Sequence, residues 1–138
     1  MPSPKILVAE DDCAILDLLR IRLELAGYST LYARDGMAAI TEITRNVPDG
    51  VILDIGLPRR DGFEVLGAIR SNRRTWGIPV LMLTARHDST DVQRAIANGA
   101  QDYLAKPFDD QKLLARVARL VRKPANSNAS SPSSICEI

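Results

Sequence analysis

Gly50-Val51-Ile52-Leu53-Asp54 is the stretch that decides the fold, because a short apolar run ends there on a carboxylate. The three apolar residues lack helical spacing and are too few to span a membrane. They predict a strand that is buried on both faces, as in the middle of a parallel sheet. Open α/β sheets bind ligands at the carboxyl ends of such strands, and Pro58 and Asp61-Gly62 turn the chain away soon afterwards. Asp54 therefore either caps the next turn or belongs to a site at this edge.

Composition limits the class of protein. The 138 residues, 46% of them hydrophobic and 25% charged, suit one soluble globular domain with a sizeable core. A net charge of +1 indicates no nucleic-acid or membrane surface, and no apolar stretch approaches the roughly 20 residues that span a bilayer. The N-terminus leaves no room for a signal peptide. Cys13 and Cys136 lack metal-ligand spacing, and we expect Cys13 to be a packed, reduced thiol. These features predict a cytoplasmic protein.

Strands and helices are predicted to alternate along the chain. The predicted strands cover residues 5–9, 28–33, 50–54, 78–83 and 102–105, and the predicted helices cover 13–26, 36–45, 63–71, 88–98 and a last stretch from 109. Asp12 is a natural N-cap for the first helix, and Gly27 is in the usual position to end it. Five strands and five helices in strict alternation are typical of an α/β fold with a doubly wound parallel sheet.

Several local predictions concern single side chains and the tail. In the first helix, Leu18 and Leu25 are expected to broaden the apolar face. Trp76 is expected to cover an edge of the core. The helix from Asp88 is the least apolar of the five and should be the loosest. Residues 1–123 then form one domain, and the Ser-, Asn- and Pro-rich residues 124–138 predict a disordered tail or the start of a linker.

Polar side chains follow four of the predicted strands. Glu10-Asp11-Asp12 follows the first strand, Asp54 ends the third, Thr84-Ala85 ends the fourth, and Lys106 follows the fifth. The carboxyl ends of parallel strands share one edge, so these groups should converge there. Clustered carboxylates repel one another unless a cation lies among them, and hard oxygen ligands without Cys or His favour Mg²⁺. A lysine and a hydroxyl beside the metal would hold a phosphoryl group, and an aspartate can form a covalent aspartyl-phosphate. The alternative is a set of unrelated caps and surface charges.

Six short motifs lie at these strand ends and turns. They are Ile-Leu-Val-Ala-Glu-Asp-Asp at 6–12, Leu-Asp-Ile-Gly-Leu-Pro at 53–58, Asp-Gly at 61–62, Pro-Val-Leu-Met-Leu-Thr-Ala at 79–85, Gly-Ala-Gln-Asp-Tyr at 99–103 and Lys-Pro-Phe at 106–108. In order and spacing, over about residues 4 to 122, they resemble the receiver domain of two-component response regulators. The resemblance implies a flavodoxin-like sheet with strand order 2-1-3-4-5. It also implies a signalling domain, and no enzyme beyond assisting its own phosphorylation and dephosphorylation.

The resemblance further implies a metal site and a phosphoacceptor. Asp54 would accept a phosphoryl group from a sensor histidine kinase or a histidine phosphotransfer protein. Asp11, Asp54 and the backbone carbonyl of Gly56 would bind Mg²⁺, while Glu10 would act through a bound water. Asp12 is assigned to helix capping instead.

A switch is implied by the same resemblance. Lys106 would pair with Asp54 before the reaction and with a phosphoryl oxygen after it, and the Thr84 hydroxyl and Ala85 amide would bind the other oxygens. Thr84 would move toward the phosphoryl group and Tyr103 would rotate inward behind it. The face formed by the fourth helix, fifth strand and fifth helix would then change shape and control a partner. The Lys106–Pro107 bond is expected to be cis.

Two positions depart from the family's pattern. Gly56 stands where a larger side chain is usual, and Arg86 stands two residues after Thr84, so the lifetime of the phosphoryl group is open. Asp102 and Arg116 could form a charge pair across a phosphorylation-dependent homodimer, although the neighbouring charges expected for that dimer are missing.

Other functions fit the sequence less well. The chain could be a stand-alone receiver that contacts a downstream protein, or the receiver half of a regulator whose output domain lies beyond it. We expect that these residues themselves bind neither nucleic acid nor a membrane. A Mg²⁺-dependent phosphatase that uses an aspartyl-phosphate would need a second catalytic acid close after Asp54, but Ile55 and Gly56 occupy those positions. A flavin-binding module would want a Gly- and Ser-rich phosphate loop after the first strand, and that loop is absent.

Overall fold

Five strands alternate with five helices in the computed structural model, which describes residues 3–85 and 89–122. The strands are β1 Lys5–Ala9, β2 Ser29–Ala33, β3 Gly50–Asp54, β4 Val80–Thr84 and β5 Asp102–Ala105. The helices are α1 Cys13–Leu25, α2 Gly36–Asn46, α3 Gly62–Ser71, α4 Ser89–Ala97 and α5 Asp110–Arg122. All neighbouring strands pair in parallel in the order β2-β1-β3-β4-β5, so the predicted fold class and strand order are confirmed. β4 begins two residues later than predicted, since Pro79 has no amide hydrogen for the ladder.

Local capping explains where the helices begin and end. The carboxylate of Asp12 accepts hydrogen bonds from the amides of Ala14 and Ile15 at 2.9 and 3.2 Å, which confirms it as the N-cap of α1. Asp61 and Glu64 form a reciprocal capping box at the start of α3. After α1, Gly27 has a φ of 100°, a left-handed conformation that favours glycine and ends the helix as predicted.

Two hydrophobic layers cover the sheet. One layer joins the sheet to α2, α3 and Ala95 of α4, and the other joins it to α1 and α5. Within β3, Val51 and Leu53 pack in the first layer, whereas Ile52 packs in the second. β3 is therefore buried on both faces, as its continuous apolar run predicts, and its last residue, Asp54, emerges from the centre of the sheet.

Four side chains are more exposed than the sequence predicted. Leu18 and Leu25 are 40% and 78% exposed, since α1 buries only the narrow line of Leu16, Leu19 and Leu23. Trp76 is 65% exposed, and the buried residue of its loop is instead Thr75, whose hydroxyl donates to the Ile69 carbonyl at 2.8 Å. Cys13 is exposed at the first position of α1. The predictions that these four side chains are packed against the core were wrong.

Some predictions lie outside the described residues or stay predictions. Arg86 and residues 124–138 are among the positions that the structure does not describe. In α4, Ala95 is the only buried side chain among those described, but the looseness of this helix stays a prediction. Within the described part of the chain, the helices are too short or too polar to cross a membrane.

Candidate functional site

Three carboxylates meet where β1 and β3 end. Ala9 lies opposite Leu53 in the parallel ladder, so the residues that follow β1 lie beside Asp54. Glu10 is 1% exposed and Asp54 is 7% exposed, whereas Asp11 is exposed to solvent. One carboxylate oxygen of each of these three residues lies within 4.8 Å of the others. The acidic cluster predicted from the strand ends is therefore present, and its donor set is one that suits a hard divalent cation.

Lys106 reaches into this cluster from the end of β5. Its Nζ atom lies 2.7 Å from Glu10 Oε1 and 3.3 Å from Asp54 Oδ2. The other carboxylate oxygen of Glu10 accepts a hydrogen bond from the Asp12 amide at 3.1 Å. The Lys106–Pro107 bond is cis, as expected. Lys106 thus pairs with Asp54, but its shorter contact is with Glu10, which the sequence reasoning assigned only to a water-mediated contact with Mg²⁺.

Burial and charge shift the pKa values of this ion pair. Burial raises the pKa of Glu10 above its ordinary value, and the hydrogen bonds from Lys106 and from the Asp12 amide only partly oppose it. Burial alone would lower the pKa of Lys106, but the hydrogen bond to Glu10 and the charges of Asp54 and Glu10 outweigh it and raise that pKa. One ammonium faces three carboxylates, so the cluster keeps an excess of negative charge that a divalent cation would neutralise.

An open cleft of about 480 Å³ lies in front of Asp54. Its lining residues are Asp54, Ile55, Gly56, Thr84, Ala85, Asp91 and Lys106. Thr84 ends β4 and is buried, whereas Gly56 is exposed at the opposite wall. The Gly56 amide donates to Asp54 Oδ1 at 3.1 Å, and the nearest atom to a Cβ built on Gly56 would be that same oxygen, at 3.9 Å. Gly56 therefore fixes the Asp54 carboxylate while leaving this side of the cleft open.

The structure brings together most of the residues predicted for the site. Five of them line the cleft (Asp54, Gly56, Thr84, Ala85 and Lys106), and Glu10 and Asp11 lie in the adjoining acidic cluster. Tyr103 does not line this cleft: it is half-buried in β5, packs against the layer of α2 and α3, and lines a second cavity of about 340 Å³.

Asp91 is the cleft residue that the sequence reasoning missed. It lies in the first turn of α4, and its side chain is half-buried. A usable signal existed, because the helix that follows β4 must begin at the same edge of the sheet as the end of that strand. An acid in the first turn of that helix is therefore close to the site.

A charge pair considered for a homodimer forms inside one chain. Arg116 Nη1 lies 2.6 Å from Asp102 Oδ1, and Arg119 Nη2 lies 2.8 Å from Asp102 Oδ2. Both arginines belong to α5, so this acid is held by the chain's own helix.

Comparisons with known proteins agree with this geometry. The family model described as the response regulator receiver domain matches residues 6–118. The DNA-binding dual master transcriptional regulator RpaA of Synechocystis is 46% identical over 120 residues, which cover 87% of this chain and 50% of RpaA. Response regulator MprA of Mycobacterium sp. strain KMS is 43% identical over 119 residues, which cover 86% of this chain and 51% of MprA.

A solved structure also resembles this chain. The receiver domain of sensor histidine kinase PA1611 from Pseudomonas aeruginosa superimposes with a TM-score of 0.82 at 28% sequence identity, over 88% of this chain and 99% of that one. That structure contains a magnesium ion coordinated in the active-site cleft. The present chain spans about half the length of the curated relatives. With the family model matched over most of its length, the chain belongs to the response regulator receiver domain family of two-component systems.

Proposed function

We propose that this chain is a phosphorylatable switch that accepts a phosphoryl group on Asp54 from a phosphohistidine of a sensor histidine kinase or a histidine phosphotransfer protein. The observation that carries the proposal is the position of Lys106, whose ammonium contacts both Glu10 and Asp54 at the floor of an open cleft. A nucleophilic carboxylate beside a half-buried cation, with space in front of it, is what phosphoryl transfer to an aspartate requires.

Asp54 is the nucleophile in this proposal. One carboxylate oxygen of Asp54 bonds to phosphorus, and the P–N bond of the phosphohistidine breaks with its electron pair returning to the imidazole. The Lys106 ammonium would then move its contact from the Asp54 carboxylate to a phosphoryl oxygen, while the Thr84 hydroxyl and the Ala85 amide bind the other two oxygens. These groups act by position and charge, which is the main means of catalysis in phosphoryl transfer.

Asp11, Asp54 and the Gly56 carbonyl would hold Mg²⁺, with Glu10 acting through water. The three carboxylates, which lie at the ends of two adjacent strands, are a fitting donor set, and a similar receiver domain holds magnesium in its cleft. When bound, Mg²⁺ neutralises negative charge between the phosphoryl oxygens and the carboxylates.

The signal would leave through the face formed by α4, β5 and α5. In this proposal Thr84 moves toward the phosphoryl group and Tyr103 turns inward from its half-buried position. The rearranged face then controls a separate protein or an output domain, and a phosphorylation-dependent homodimer is one form that this control could take. In this proposal the residues of this chain act through contacts with protein and do not bind DNA themselves.

The proposal is tested by labelling the full chain with acetyl phosphate in the presence of Mg²⁺. Asp54→Asn should abolish labelling, and a chelator should suppress labelling of the wild type. Asp17→Asn, which removes an exposed acid of α1, is the matched control and should label normally. Full labelling of Asp54→Asn at another residue would refute the assignment.

A further inference from the structure

Asp91 lines the cleft, yet the proposed function gives it no task. Its carboxylate projects from the first turn of α4 and is half-buried. Within residues 3–85 and 89–122, no hydrogen bond or ion pair joins this carboxylate to another side chain. An acid in a first helical turn stabilises the helix through the dipole, but that role needs no place in the lining of the cleft.

The other lining groups differ from Asp91 in hydrogen-bonding chemistry. Lys106 can only donate, and the side chains of Ile55 and Ala85 offer neither donor nor acceptor. The Thr84 hydroxyl is assigned to a phosphoryl oxygen. Apart from Asp54 itself, Asp91 is the only carboxylate among the seven lining residues that belong to the described part of the chain. A water molecule in this cleft that needs a strong side-chain acceptor for its protons finds one at Asp91.

The open wall at Gly56 makes room for such a water. Hydrolysis of a phosphoryl group on Asp54 requires attack on phosphorus from the side opposite the Asp54 oxygen, so the cleft in front of Asp54 must hold the attacking water. Gly56 has no side chain, and a Cβ there would meet its first neighbour only at 3.9 Å. The volume of about 480 Å³ holds a phosphoryl group and several waters, each of which takes about 30 Å³ in the liquid.

We propose that Asp91 positions the water that hydrolyses the phosphoryl group of Asp54, and thereby sets the lifetime of the phosphorylated state. This inference rests on the proposed function. In the step, the water oxygen bonds to phosphorus, the P–O bond to Asp54 breaks, and its electron pair returns to the Asp54 carboxylate. The proton of the water passes to the Asp91 carboxylate and then to solvent, and inorganic phosphate leaves. As the phosphate leaves, Lys106 returns from the phosphoryl oxygen to the Asp54 carboxylate that is released.

The test is the decay rate of the acyl phosphate. The full chain is phosphorylated with acetyl phosphate and Mg²⁺, the donor is removed by rapid gel filtration, and the remaining label is followed with time. Asp91→Asn and Asp91→Ala should each slow the decay about tenfold or more, in line with the loss of a proton acceptor. Asp91→Glu should keep the rate within about threefold, since it restores a carboxylate. Asp17→Asn, the matched charge control on α1, should decay as the wild type does.

Two further readouts separate this role from a structural one. The rate of labelling and the affinity for beryllofluoride, which imitates the bound phosphoryl group without being hydrolysed, should stay within about twofold of wild type in Asp91→Asn. If both change in parallel with the decay rate, Asp91 shapes the site instead and the inference fails. If wild type labels on Asp54 but the Asp91 variants decay at its rate, the inference fails and the proposed function stands. If wild type does not label on Asp54, both fail.

Discussion

Replacing Arg70 by methionine should destabilise the protein far more than replacing an exposed arginine such as Arg73. Arg70 lies in the last turn of α3, where its guanidinium donates two hydrogen bonds to the Gly99 carbonyl, at 3.1 and 2.6 Å. It also donates to the carbonyls of Trp76 and Ile78 at 2.9 and 2.7 Å, and to Gln101 Oε1 at 2.9 Å. One side chain thus joins the end of α3 to the loop before β4 and to the turn before β5.

The size of the effect follows from these contacts. Arg70→Met keeps the apolar stem but leaves three backbone carbonyls without their charged donor. A hydrogen bond to a charged group contributes about 1.5–3 kcal/mol, but Arg70 is only half-buried and water would replace part of the loss. We therefore expect the free energy of unfolding to fall by about 2–4 kcal/mol, which corresponds to a Tm lower by about 6–15 °C in a domain of this size.

Arg73→Met is the matched control, because Arg73 lies three residues later, just beyond the end of α3, and is exposed. Urea and thermal unfolding, followed by circular dichroism, should show a change within about 0.5 kcal/mol for this variant. Arg70→Lys should fall in between, since an ammonium cannot replace a planar fork that donates in several directions. If Arg70→Met and Arg73→Met lower the stability equally, the hydrogen bonds of Arg70 do not hold these loops together and the reasoning is wrong.

Three other outcomes follow from the structure. Gly62→Ala should lower the free energy of unfolding in urea by about 1–3 kcal/mol, because its Cβ would lie 2.5 Å from the carbonyl oxygen of Asp54, the last residue of β3. Gly67→Ala is the control and should not lower the stability, because a Cβ on Gly67 would have no neighbouring atom within 4 Å. Equal losses in the two variants would contradict the prediction. The pKa of Glu10 in the folded protein is raised above its ordinary value of 4.5. The free energy of unfolding should therefore fall as the pH rises from 4.5 through the raised pKa, because Glu10 then ionises in a buried place. In metal-free buffer, Glu10→Gln should therefore gain stability relative to wild type over this window, and a difference that does not change with pH would count against it. Mg²⁺ should raise the Tm of wild type and of Asp17→Asn but not of Asp11→Asn, and an equal rise in all three proteins would exclude Asp11 as a ligand.

Much of the fold could be predicted because the apolar runs are short, continuous and separated by clear turn residues. The stretch Gly50–Asp54 coincides with β3, and the glycine and aspartate signals around α1 are used by the structure as the sequence suggests. The composition of the site was predictable for a topological reason. In a parallel sheet, residues that follow different strands must meet at one edge, however far apart they lie in sequence.

The remaining features depend on packing that no local pattern encodes. Leu25 and Trp76 are apolar but exposed, since their burial depends on how far the sheet and α5 extend over each element. The shorter contact of Lys106 with Glu10 depends on a side-chain geometry of a few tenths of an ångström. The sequence places the start of α4 at this edge of the sheet, but it does not show which side chain of the first turn lines the cleft, and Asp91 was missed for that reason.

The exposed Trp76 gives the protein an optical probe of long-range coupling. It is the only tryptophan in the chain, and it precedes β4, which rises about 13 Å from Val80 to Thr84 at about 3.3 Å per residue. Trp76 thus lies before the end of β4 that is remote from Thr84, and its carbonyl accepts a hydrogen bond from Arg70, which also donates to the Gly99 carbonyl just after α4. A change in tryptophan fluorescence on adding Mg²⁺ and beryllofluoride would therefore report a structural change at Trp76, outside the cleft. Unchanged fluorescence would indicate that the structural change is limited to the cleft.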